Sequence, residues 1–80
     1  YGMLGCNFHC GYCQNWITSQ VLRDPHAGAP LLRTSADELV RLAHDQDAEI
    51  IVSTYNEPLI TAEWNAAVFR KAKAAGLLTG

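Results

Sequence analysis

Glu49-Ile50-Ile51-Val52-Ser53-Thr54 runs without a break into Tyr55-Asn56-Glu57-Pro58. The centre of the first stretch is apolar and β-branched at consecutive positions, with no polar alternation. That pattern predicts a parallel strand buried on both faces. Pro58 disfavours helical backbone at Glu57, so the strand must open into a loop at its C-terminal end. A helical pattern lies on each side. Upstream, either Thr34 or Ser35 can cap a helix, and Ser35 with Glu38 fits a capping box. Ala36, Leu39, Leu42 and Ala43 form its apolar stripe, Asp37, Arg41, His44 and Asp45 its wet face, with an end expected near Asp47. Downstream, a second helix is expected from Ile60 or Thr61 to Ala75, with Trp64, Ala67, Val68, Ala72 and Ala75 on one face. Gly76 is a natural stop, and Arg70, Lys71 and Lys73 suit the negative end of the helix dipole.

Further outward, Tyr1 to Leu4 reads as the end of a strand closing at Gly5, and Leu77-Leu78-Thr79-Gly80 as the opening of another. Gln14 to Leu22 is expected to be a helix or partly helical turn, with Trp16, Ile17 and Gln20 facing inward. Arg23 to Pro30, with two prolines and a glycine, is a loop. The order is strand, loop, helix, strand, loop, helix, strand start. Alternation of this kind implies an α/β fold with parallel strands and crossover helices. In parallel α/β folds the loops at the C-terminal ends of the strands build the site. Two segments occupy that position, namely Tyr55 to Pro58 and the loop after Leu4.

The second of these is Cys6-Asn7-Phe8-His9-Cys10-Gly11-Tyr12-Cys13, and it holds all three cysteines of the chain. Thiolates gathered in one short loop point to a metal or cluster site, and three ligands of one cluster are expected to aim their sulfurs into one small volume. Three thiolates leave a four-iron cluster one protein ligand short, and that open iron is where chemistry can occur. The competing reading is a zinc site with His9, or a residue outside this sequence, as fourth ligand. His9 otherwise sits between ligands as a bystander. Phe8 and Tyr12 either shield the metal centre, contact a bound cofactor or pack in the core. Gln14, Asn15 and Trp16 line the cavity or hold the loop.

The spacing Cys-x3-Cys-x2-Cys, with Tyr12 before the third cysteine, resembles the cluster motif of the radical AdoMet superfamily. Gln14-Asn15-Trp16-Ile17-Thr18-Ser19-Gln20, together with Thr54-Tyr55-Asn56-Glu57-Pro58, makes the chain similar to enzymes like the pyruvate formate-lyase activating enzyme, in particular the AmmeMemoRadiSam subgroup. The resemblance implies a partial (β/α)6 TIM-like barrel, of which residues 1–80 would form the N-terminal portion, with a cluster loop over 5–16 and an S-adenosylmethionine (AdoMet) contact loop over 54–58. It implies a 4Fe–4S cluster on Cys6, Cys10 and Cys13, with AdoMet chelating the open iron. Reductive cleavage of AdoMet would give methionine and a 5′-deoxyadenosyl radical that abstracts hydrogen from a substrate. Glu57, Asn56 and Tyr12 are the implied AdoMet contacts, with the Glu57 carboxylate on the AdoMet amino group. In the family pattern two glycines precede that glutamate, whereas here Tyr55 and Asn56 stand in their places. An electron donor such as flavodoxin or ferredoxin, and a protein substrate, are the implied partners. The alternative is a zinc- or Fe–S-stapled binding or electron-transfer module without AdoMet chemistry.

Composition narrows the classes. A net charge of −2 in a chain about half hydrophobic excludes a disordered tail and a basic nucleic-acid-binding module. No apolar run approaches the roughly 18 residues of a membrane span. Three closely spaced cysteines make an incomplete disulfide framework and suit a reducing cytosol. The start at Tyr1 and the strand opening at Leu77 suggest a fragment of a longer enzyme.

Overall fold

The computed structural model describes all residues, 1–80. Its elements are α1 (Trp16–Ser19), α2 (Ala36–Asp45), β1 (Ile50–Ile51), a 3-10 turn (Pro58–Thr61), α3 (Ala62–Ala74) and β2 (Leu78–Thr79). β1 and β2 are parallel, with Ile50 opposite Leu78 and Ile51 opposite Thr79. The ladder extends past the regular strands: Ser53 N donates to Gly80 O at 2.8 Å and Gly80 N to Ile51 O at 3.1 Å. On the other edge of β1, the Tyr1 nitrogen donates to Val52 O at 2.9 Å and Thr54 N donates to Tyr1 O at 2.8 Å. Those two bonds bracket Ser53 as a parallel pair does. β1 is therefore central, flanked by the first residues of the chain and by β2, and its neighbours run parallel to it as expected.

α2 begins where its capping box directs. Ser35 Oγ accepts from Glu38 N at 3.2 Å, and Ser35 N donates to Glu38 Oε2 at 2.7 Å. Both long helices end in the same backbone device. In α2, Asp47 N reaches His44 O and Ala48 N reaches Ala43 O; in α3, Gly76 N reaches Lys73 O and Leu77 N reaches Ala72 O. Each device needs a left-handed residue. Gly76 supplies it at φ 85°, as expected, whereas in α2 Asp47 takes φ 52°. A 3-10 turn leads into α3, with Pro58 at its first position, where no N–H is needed.

α2 and α3 pack together on the same side of the strands. Ile51, Val68, Ala72 and Leu77 form the core, with Tyr1, Leu39, Val40, Ala43, Trp64 and Phe69 packed against it. The Tyr1 and Trp64 rings meet edge to face, with centroids 5.3 Å apart. Asn65 is buried within this apolar face, a position that the stripe reading missed. Both ends of its amide are satisfied, by Pro58 O and by the Tyr1 hydroxyl, each at 2.9 Å. Burial of β1 on both faces, expected from Ile50-Ile51-Val52, is not found. Ile51 is 7% exposed but Ile50 is 50% exposed, because the helices cover one face and the other stays open. α1 is also shorter than expected. Ser19 is its buried residue, and Gln20, at its C-cap, is buried as expected, while Trp16 and Ile17 turn outward.

Candidate functional site

The cysteine loop leaves the first strand segment at Gly5, whose φ of 90° reverses the chain. A side chain here would be strained, and its Cβ would lie 3.0 Å from Leu22 Cδ1. Gly5 N donates to Thr18 O at 2.8 Å, which fastens the start of the loop to α1. Between those anchors the loop is open, and Asn7 to Tyr12 are all exposed. Cys13 N donates to Cys10 O at 3.1 Å, closing the last turn.

The three cysteines are free, Cys10 exposed and Cys6 and Cys13 half-buried. Their sulfurs do not converge as expected. No three His, Cys, Asp or Glu side chains stand close enough together to hold a metal ion. Cys6 Sγ accepts from Phe8 N at 3.4 Å, and Cys13 Sγ lies 3.3 Å from Ser19 Oγ. As a donor set the loop still fits an iron–sulfur cluster, since it offers three soft sulfur donors, none of them in a disulfide.

The loop after β1 lies beside it. Tyr55 and Asn56 have φ of 65° and 59°, two successive left-handed residues that bring Glu57 back toward the cysteine loop. The backbone thus takes the conformation that glycines would permit at these positions, although neither residue is glycine. Asn56 joins the two loops: its Nδ2 donates to Met3 O, and its Oδ1 accepts from Thr18 Oγ1 at 3.3 Å. Both ends of the amide are thereby used within the protein. Glu57 Oε1 accepts from Leu59 N at 3.1 Å, capping the 3-10 turn. A cavity of about 300 Å³ is lined by Cys6, Asn7, Arg23 and Glu57, with Leu22 and Ile60 among its apolar walls.

Tyr12 is 91% exposed and Phe8 53%, so neither packs in the core. Neither lines the cavity that holds Cys6 and Glu57. Gln20 faces inward as expected, but sequence reasoning missed the buried Ser19 beside Cys13, and it missed Arg23, whose Nη1 donates to Phe8 O at 3.5 Å. Burial of a lone serine at the end of a four-residue helix leaves no periodic signal, and an arginine at a loop edge reads as solvated.

No helix is long and apolar enough to cross a membrane. The chain is 37% identical over 60 residues to the uncharacterized protein MJ0808 of Methanocaldococcus jannaschii, an alignment covering 75% of this chain and 17% of that protein. No solved structure matches it. The family model of the radical SAM superfamily matches residues 1–79. The match spans both loops of the site and the strands that carry them. The chain thus belongs to the radical SAM superfamily, an enzyme-type family whose cofactors are a 4Fe–4S cluster and S-adenosylmethionine.

Proposed function

We propose that residues 1–80 are the N-terminal part of the core domain of an activating-enzyme-like radical SAM enzyme of the AmmeMemoRadiSam kind. In this reading Cys6, Cys10 and Cys13 hold the cluster, and Glu57 binds AdoMet. The supporting observation is that Cys6 and Glu57 line the same cavity, at the C-terminal ends of adjacent parallel strands. Helices on one face of a sequentially ordered sheet suit a partial (β/α)6 barrel better than a sheet covered on both sides. When bound, the cluster supplies the electron that cleaves AdoMet to methionine and a 5′-deoxyadenosyl radical.

The chain's own residues position and enclose. Glu57 has one oxygen committed to the Leu59 amide, and its second oxygen is left for a ligand ammonium group. Asn56 is a positioning residue, holding the Glu57 loop against the cysteine loop. Leu22 and Ile60 supply apolar wall to the cavity. Tyr12, on the exposed rim, closes over the cofactor when the loop adjusts around the cluster. Hydrogen abstraction from a protein substrate, with flavodoxin or ferredoxin as electron source in a reducing cytosol, completes the reading.

The test is Glu57→Gln in the full-length enzyme after anaerobic reconstitution, with AdoMet affinity and iron content measured together. Loss of one charge-assisted bond should weaken AdoMet binding by about one to two orders of magnitude, with iron content unchanged. Unchanged affinity, or iron lost with the mutation, would sink the assignment. Absorption and EPR with and without AdoMet separate it from a zinc-stapled module, which is colourless and EPR-silent.

A further inference from the structure

Ser19 and Gln20 are 2% and 3% exposed, the most buried polar residues in the chain, and they are the last residue and the C-cap of the helix that follows the cysteine loop. Their hydrogen bonds run in one direction. Gln20 Nε2 donates to Phe8 O at 3.2 Å and to Ser19 Oγ at 3.2 Å. A main-chain carbonyl can only accept, so Phe8 O fixes which end of the amide faces this side. The second hydrogen of the same NH2 then goes to Ser19 Oγ. With its oxygen accepting there, Ser19 has its own proton to give. Two acceptors are in reach: Cys13 Sγ at 3.3 Å and Trp16 O at 3.5 Å. Cys13 Sγ is the nearer of the two, and as a cluster-bound thiolate it would be the charged one, so in that reading it takes the proton. Gln20 Oε1 is left buried without a partner, so the amide keeps this orientation at the cost of an unmet acceptor.

We infer that Ser19, oriented by Gln20, is a positioning residue that tunes the cluster through the Cys13 sulfur. The inference rests on the proposed reading of Cys13 as a cluster ligand. A hydroxyl donated to a ligating thiolate draws electron density from the sulfur and favours the reduced, more negative state of the cluster. Hydrogen bonds to ligand sulfurs and solvent exposure are the protein's levers on such potentials. Gln20 serves both, since its bond to Phe8 O also pins the loop between Cys6 and Cys10.

The test is an EPR-monitored redox titration of the full-length reconstituted protein without AdoMet. Ser19→Ala should keep its iron and shift the midpoint potential to a more negative value. Gln20→Ala should shift it the same way by less, and Ser19→Thr, which retains the hydroxyl, should leave it near the native value. An unchanged potential in Ser19→Ala, or an equal shift in Ser19→Thr, overturns the inference. If Ser19→Ala loses iron, Ser19→Thr decides: retained iron and potential uphold the hydroxyl's role, and lost iron makes Ser19 a packing residue. Cys13→Ala, run beside them, tests the underlying reading separately. A full cluster in that variant removes Cys13 as a ligand, whereas a lost cluster beside an unmoved Ser19→Ala potential removes only the tuning.

Discussion

Asn56 Nδ2 donates to the main-chain carbonyl of Met3, tying the loop after β1 to the segment that enters the cysteine loop. The same amide accepts from Thr18 on the far side of that loop. Asn56 does this from a left-handed backbone, which asparagine tolerates better than most residues. Two substitutions separate these contributions. Asn56→Gly removes the bonds and keeps the conformation easy, with an expected loss of about 1–3 kcal/mol for two hydrogen bonds. Asn56→Ala should lose a further ~1 kcal/mol or more, because a Cβ is disfavoured at positive φ. Urea unfolding of the full-length proteins measures both, and a glycine variant as stable as the native protein would mean that the bonds contribute nothing.

Tyr55 stands in the same conformation without asparagine's tolerance, and its side chain is 67% exposed. Tyr55→Gly should therefore remove about 1–2 kcal/mol of backbone strain while adding about 0.5–1 kcal/mol of unfolded-state entropy. The expected net effect is a small stabilisation, up to about 1 kcal/mol, with AdoMet affinity retained because the loop path is unchanged. A destabilised variant would mean that the exposed ring makes contacts worth more than the strain.

These two residues also mark how far the sequence could be read. The strand, both long helices, the capping box at Ser35 and the stop at Gly76 were legible because each follows from local chemistry. The placement of Glu57 beside Cys6 was legible because parallel strands put their loops on one side. What the pattern of residues could not carry was tertiary. Whether Ile50 finds a cover depends on which faces the helices occupy. Whether the sulfurs converge depends on how the exposed loop from Asn7 to Tyr12 is held, which no residue pattern states. Asn56 read as a cofactor contact, since nothing local revealed that Met3 and Thr18 would claim both ends of its amide.

Glu38 offers a prediction in pH. The Ser35 main-chain N–H, then the Ser35 hydroxyl, then the Arg41 charge hold its carboxyl below the ordinary value of 4.5. A carboxyl lowered in the folded state adds stability above its unfolded value, and that contribution disappears as pH falls through the folded one. The capping box should therefore support α2 at neutral pH and stop doing so in acid below the usual glutamate range. Glu38→Gln should lower the melting temperature of the full-length protein at pH 7, and the difference from native should close as the pH drops below about 4. A difference that persists undiminished at pH 2 would point to packing instead of the charged cap.

The last prediction concerns the open face of the sheet. Only eight of the 80 residues are buried. Ile50 and Leu78, opposite each other on β1 and β2, are 50% and 66% exposed, and Leu59, at the start of the 3-10 turn, is 80% exposed. Side chains of this kind contribute about 1.5–3 kcal/mol each when fully buried. A domain's whole stability is only about 5–15 kcal/mol, so several such side chains left in water remove much of it. Residues 1–80 expressed alone should therefore bind a hydrophobic dye, self-associate with rising concentration and melt over a broad range. In a longer chain that covers this face, the same residues should be protected from hydrogen exchange along β1. A steep, concentration-independent melt of the isolated monomer would show that the helix-covered face alone suffices. The open side of Ile50 and Leu78 would then need no partner.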